Sequence, residues 1–232
     1  MHILLKVNLK IFGSAMNSPL IILGAIGNCL DIMDAVLAVN KEDGSQTYEI
    51  LGFLDDETSR HGIEICGFPV LGPLAIAKEM PHALFVNGIG SPRSYRSKQA
   101  LIESLGLDCT RFATIIHPTA IVSSSVSIGY GSVVLANCTI CSNVHIGDHV
   151  MMLPNCVLGH DTQVHSYSTF AANVTVSGSV SIGRSCYLGG GSCIREYTHL
   201  GDEVLLGMGA VLIGNAPTGS TMVGNPARLL RN

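Results

Sequence analysis

A chain of 232 residues is long enough for two modest domains, each with its own buried core. Apolar residues make up 47% and charged ones 13%, yet no stretch approaches the roughly 20 uninterrupted apolar residues that a membrane span needs. A formal net charge of -4 gives no reason to expect nucleic acid, whose binders carry a basic patch, but leaves room for small polyanions held by amides and a few cations.

Residues 1–16 carry Lys6, Asn8 and Lys10 among apolar residues, which breaks any signal-peptide core, and Met16 precedes the first convincing strand. This segment is set aside as an extension belonging to neither domain. Residues 17–110 then read as an α/β domain. The run from Pro19 to Asn28 is a buried apolar strand delivered into a Gly-rich turn, and helical apolar spacing continues through Leu37. A second strand, EILGFLDDE, ends at Asp55 and Asp56, and a third, ALFVNGIG, ends at Gly88, Ile89 and Gly90. Strand, Gly turn, helix, strand is the opening of a Rossmann-like domain with a short parallel sheet, whose ligands sit beyond the carboxyl ends of the strands. The Gly24, Ala25, Ile26, Gly27, Asn28 turn falls there, short of the full dinucleotide fingerprint; a tight turn without a ligand is the plainer alternative. Its company raises the binding reading: Arg93 and Arg96 are candidates for meeting phosphate, and Asp55 for accepting from a base or sugar.

From residue 111 the texture changes to an unbroken repeat. Every sixth residue from Ile116 to Leu212 is apolar and mostly branched aliphatic, and the residue two before each is never larger than Val. A period of six fits neither helix nor plain strand, so each hexad is a short strand plus a turn, with the aliphatic inside. Gly follows the aliphatic at seven positions, among them Gly129, Gly147 and Gly159, which suits a turn needing backbone freedom. Three hexads make a triangular coil, so nearly six coils stack to roughly 27 Å at strand spacing. Eight cysteines include no CxxC pair, and Cys138, Cys156 and Cys186 fill small repeat positions; reduced thiols and a cytoplasmic home are expected.

The repeat, the closing GNPARLL and the motifs at Gly24–Asn28, Phe53–Asp56, His117–Ala120 and Gly159–Asp161 together resemble the sugar acetyltransferases that modify nucleotide-linked amino sugars, and the related sialic-acid O-acetyltransferases. The resemblance covers about residues 18 to 231. It implies an all-β left-handed parallel β-helix over 111–232, with a C-terminal cap, and a nucleotide-sugar-binding domain over 17–110. It further implies a homotrimer with sites between subunits, and acetyl-CoA as co-substrate without a metal. Two family positions differ: the usual His closing the first motif is Asn28, and an Asn shortly before the catalytic His is Leu153. Both concern the sugar-nucleotide side.

An amine attacking a thioester must lose a proton, and histidine, with an ordinary pKa near 6.5, suits that task. His160 is the candidate base and Asp161 the carboxylate that would orient it. By resemblance, acetyl-CoA is held by Thr169, Ser177, Gly178, Gly207, Met208 and Gly209, with backbone N–H groups serving the oxyanion. The nucleotide sugar falls to residues 24–28, Asp55, Asp56, Gly88–Gly90, Arg93 and Arg96. His117 is read as a cap of the first coil, and His145, His149 and His199 as solvated turn residues. His160 and His165 stand five apart, as in β-helical carbonic anhydrases, but Ser124 occupies the position of the third ligand, so zinc is poorly supported. The expected reaction is acetylation of a nucleotide-linked 4-amino-4,6-dideoxy sugar. Sugar O-acetylation and a non-catalytic nucleotide-sugar-binding β-helix are the rivals.

Overall fold

The computed structural model describes residues 17–42 and 47–230; the extension at 1–16 lies outside the described residues. The first domain is built on β1 (Ser18–Leu23), β2 (Tyr48–Leu54), β3 (Glu64–Ile65), β4 (Phe68–Gly72) and β5 (Leu84–Asn87), with helices α1 (Asn28–Glu42) and α2 (Lys98–Ser104). Strand order is β3-β4-β2-β1-β5. The pairs β1/β2, β1/β5 and β2/β4 are parallel, but β3 runs antiparallel to β4. The sheet is therefore mixed, a refinement of the short parallel sheet that the strands legible in sequence imply. Both sheet faces are covered, so β1 alternates between two cores. Leu20 and Ile22 pack with the Ile32, Ala35 and Val36 face of α1, whereas Ile21 and Leu23 pack with Phe85, Ile102 and Phe112.

The repeat forms seventeen two-residue strands, β6 (Ile115–Ile116) to β22 (Val211–Leu212), the first fourteen of them parallel to the strand eighteen residues on, as in Thr139↔Val157 and His145↔Gln163. They stack as three sheets, the walls of a left-handed parallel β-helix, and β23 (Thr221–Val223) with β24 (Arg228–Leu229) closes the end. The wall starting with β6 faces the first domain: Ile115, Val133, Leu135 and Met151 share one core with α1 and β1. The wall starting with β7 (Ile121–Val122) presents Ile121, Thr139, Val157, Thr175, Cys193 and Val211 outward, and the wall starting with β8 (Ser127–Ile128) presents Ser127, His145, Gln163, Ser181 and His199.

The corners explain both residue columns, and one of them differently from the sequence reading. Positive φ recurs at every sixth residue from Gly131 to Gly209, and most of these residues are not glycine; Asn137, Asn143, Asn155, Asp161 and Asn173 are among them. Asn and Asp tolerate this conformation because the short polar side chain bonds locally. Gly129, Gly147 and Gly159, by contrast, do not have positive φ. A Cβ there would stand 2.3 to 2.7 Å from the next coil, so their glycine serves close coil-to-coil approach rather than turn freedom. The small column has a further reason. Ser132, Cys156, Ser168 and Cys186 each donate to the carbonyl fifteen residues on, at 2.8, 3.1, 2.8 and 3.2 Å. The cysteines are thus inward repeat-fillers that satisfy a buried carbonyl.

Candidate active site

β13 (Val157–Leu158) delivers Gly159, His160 and Asp161 to the corner between the second and third walls. Asp161 takes the left-handed conformation, φ 59, which turns its carboxylate back on the ring: His160 Nδ1 lies 2.7 Å from Asp161 Oδ2. Asp161 Oδ1 accepts from Asn143 Nδ2 at 3.2 Å. Hydrogen bonds from His160 and then Asn143 hold the Asp161 carboxyl below the usual carboxylate range. An ionised carboxylate only accepts, so Nδ1 carries the ring proton and Nε2 keeps its lone pair. Asn143 escaped the sequence reading, although its offset of one coil from Asp161 marks it.

Below the ring lies Gly178. A Cβ there would stand 2.7 Å from both Cε1 and Nε2 of His160, so only glycine admits the imidazole in this place. Both side chains remain open to solvent, His160 at 63% and Asp161 at 52% exposure, as a group meeting a substrate requires.

Not every amide expected to serve acetyl-CoA is free. The N–H groups of Ser177, Gly207 and Gly209 donate to the carbonyls of Ile194, Met222 and Gly190 at 3.0, 2.8 and 2.9 Å. Among the described residues Gly178 and Met208, the middle residues of their corners, have N–H groups with no protein acceptor. Ser177 and Gly178 share the corner of His160, but Gly207–Gly209 follow β21 (Leu205–Leu206) on the corner between the first and second walls. One chain does not bring them together. Thr169 cannot meet acetyl-CoA in this conformation: it is fully buried and its Oγ1 accepts from Lys98 Nζ at 2.9 Å.

The first domain carries a cleft of about 450 Å³ at the carboxyl ends of β1, β2 and β5, lined by the Gly24–Asn28 turn, Asp55, Asp56 and Gly88–Gly90, with Ser91 and Ser94 added. Cys29 is wedged beneath two of the glycines; a Cβ on Gly24 or Gly88 would stand 2.7 or 2.5 Å from its Sγ. Burial pushes that thiol up to about 12, so it stays protonated. Asp55 is already engaged, accepting from Ala25 N at 3.0 Å and pairing with Arg60 at 3.0 Å, and Asp56 accepts from Leu74 N at 2.9 Å. Arg93 and Arg96 do not line the cleft. Arg96 instead ties the domains, donating to Gly219 O at 3.0 Å with Glu203 at 3.6 Å. Asn28 and Leu153, the two family departures, both face the junction: Asn28 Nδ2 donates to Gly90 O at 3.2 Å and approaches Met151 Sδ at 3.5 Å, and Leu153 packs on the same core.

His149 is not a solvated turn residue. It is buried, stacked 5.3 Å from Tyr167 and edge-on 4.6 Å from Phe112, and burial lowers its pKa to about 4. His145 and His199 are exposed but stand on strands, where alternation points them outward. His117 does cap its corner, accepting from Thr119 N at 3.1 Å. Among the described residues no three His, Cys, Asp or Glu side chains are grouped to hold a metal, and no helix is long and apolar enough to cross a membrane.

Lys98 crosses the junction, fully buried, with Nζ on Ser168 O at 3.3 Å and Thr169 Oγ1 at 2.9 Å. Burial lowers its pKa from 10.5 to about 7. The unfolded chain therefore binds the extra proton between those values, and stability rises with pH across that window. Lys98→Met is expected to be the more stable protein at pH 6.5, by on the order of 2–4 kcal/mol, and to lose part of the rise in urea midpoint toward pH 9.5. Parallel midpoints for the two proteins across that range would show that Lys98 is not held against its charge.

The architecture is that of a transferase β-helix. Residues 143–178 match the family model "Bacterial transferase hexapeptide (six repeats)". GDP-perosamine N-acetyltransferase of Escherichia coli O157:H7 is 30% identical over 197 residues, covering 82% of this chain and 86% of that protein. The acetyltransferase domain of PglB from Neisseria gonorrhoeae FA1090, solved in complex with acetyl coenzyme A, superposes with a TM-score of 0.81 at 29% identity, over 93% of this chain and 100% of that one. PerB from Caulobacter crescentus, in complex with CoA and GDP-perosamine, shares the fold with a TM-score of 0.78 at 23% identity, over 94% of this chain and 100% of that one. The chain belongs to the hexapeptide-repeat sugar acetyltransferases.

Proposed function

We propose that this protein transfers the acetyl group of acetyl-CoA to the amine of a nucleotide-linked 4-amino-4,6-dideoxy sugar, of which the GDP-perosamine of its relatives is the first candidate. The observation that carries the mechanism is the Asn143–Asp161–His160 chain, which leaves Nε2 as an acceptor over Gly178. His160 takes the amine proton as nitrogen attacks the thioester carbon; the thiolate of CoA leaves and is protonated. No acyl-enzyme is needed. The free N–H of Gly178 is the donor available to the oxyanion, and that of Met208, from another chain, is available to the coenzyme arm.

A trimer supplies that second chain. His160 and the Gly207–Gly209 corner bound the two edges of the second wall, so three protomers with this wall turned to a threefold axis set one corner against the other. The outward column Ile121, Thr139, Val157, Thr175, Cys193, Val211 suits such burial better than the Ser, His and Gln of the third wall. The first domain binds the nucleotide in its 450 Å³ cleft. The supporting family and the lack of a membrane-crossing helix among the described residues fit a cytoplasmic step in polysaccharide synthesis.

Thiol release from acetyl-CoA, measured against GDP-, UDP- and dTDP-linked 4-amino sugars and free sialic acid, tests the reading. Turnover on one nucleotide amino sugar is expected. Turnover on sialic acid alone would replace the proposal by O-acetylation, and nucleotide-sugar binding without turnover would leave a binding module.

A further inference from the structure

We infer that Arg195 binds the phosphate groups of acetyl-CoA when the thioester of the coenzyme lies at His160. The inference rests on the acetyl-CoA reading above. Coenzyme A is a polyanion, and between residues 112 and 230 the chain has no lysine and only Arg184, Arg195 and Arg228.

Two of these arginines are placed elsewhere. Arg184 lies over the Tyr167 ring, 5.9 Å from its centroid, on the corner between the third and first walls. Arg228 lies in the closing β24 and donates to Ala227 O at 2.9 Å. Arg195 follows β19 (Cys193–Ile194) on the corner of His160, two coils below it. The hydrogen bonds Ser179 N to His160 O and Tyr197 N to Gly178 O, at 2.8 and 3.2 Å, trace that stack. Its guanidinium is exposed and, among the described residues, makes no ion pair or side-chain hydrogen bond.

Two coils amount to about 10 Å at ordinary strand spacing, a distance that the pantetheine arm spans when its sulfur sits at His160. Toward the amino-terminal end the β-helix offers a polyanion no lysine or arginine between residues 112 and 183. A planar guanidinium suits paired phosphate oxygens, and its exposure lets the anion approach without prior loss of an internal partner. Glu196 stands beside it on the same corner and opposes the binding of anions.

Calorimetric binding of acetyl-CoA and of acetyl-pantetheine, which lacks the phosphates, tests this with wild type, Arg195→Ala and Arg195→Lys. The alanine variant is expected to weaken acetyl-CoA by about tenfold or more and to leave acetyl-pantetheine unchanged, with lysine recovering much of the loss. An equal loss for both donors, or none for acetyl-CoA, would overturn the assignment. Failure of the wild type to bind either donor would instead remove the acetyl-CoA reading on which it rests.

Discussion

His160→Ala is expected to lower kcat for acetyl transfer by several hundredfold or more while changing the affinity for acetyl-CoA less than about threefold, since general-base catalysis contributes about 10²–10⁴ in rate. The reason lies in the geometry. Nδ1 is committed to Asp161 at 2.7 Å, and Nε2 is the only ring atom left to take a proton. Asp161→Asn should cost less, because an amide in the same place still contacts Nδ1 but offers no charge to the imidazolium that forms. Single-turnover thiol release separates the two variants. Activity within tenfold of wild type in His160→Ala would place the base elsewhere.

Gly178→Ala should give the second large effect, although it replaces neither ionisable group. The added Cβ would stand 2.7 Å from Nε2 and Cε1 of His160, so the ring must swing off its site and give up either the Asp161 bond or its aim at the acceptor. A displacement of about 1 Å at a reacting atom costs on the order of 10² in rate. Gly178 does not have positive φ, so alanine meets no backbone strain there and the free energy of urea unfolding should stay within about 0.5 kcal/mol of wild type. Loss of activity with unchanged stability and unchanged acetyl-CoA binding is the expected pattern. A fully active variant would mean that His160 works from another rotamer, and a destabilised one that Gly178 serves coil packing instead.

How much of this was legible beforehand depends on the distance over which each signal acts. A strict six-residue period carries the whole β-helix, since each coil stacks only on its neighbours and the pattern states both which side chain points inward and where the chain turns. The candidate base and its carboxylate are adjacent in sequence, so the GHD motif displays them together. Asn143 was within reach by the same arithmetic, one coil before Asp161. The apolar strands and Gly or Asp ends of the first domain named ten residues of its cleft, because strand ends converge in any such sheet.

What the tertiary structure alone decided is whatever depends on the two domains meeting or on which corner a residue occupies. Thr169 and His149 read as accessible repeat residues until the folded chain shows Thr169 receiving Lys98 and His149 lying between Tyr167 and Phe112. Arg96 reads as a phosphate ligand until its reach to Gly219 and Glu203 is seen. Three β3–β4 facts, two short strands and their antiparallel turn, escaped because two to five residues carry too little periodicity to register. The repeat, its phase and the residues presented at each corner are legible in the chain, because these are local and recur. The tertiary structure decided which of them are buried, which amides are free and which corners can meet, because those outcomes follow from contacts between segments far apart in the chain.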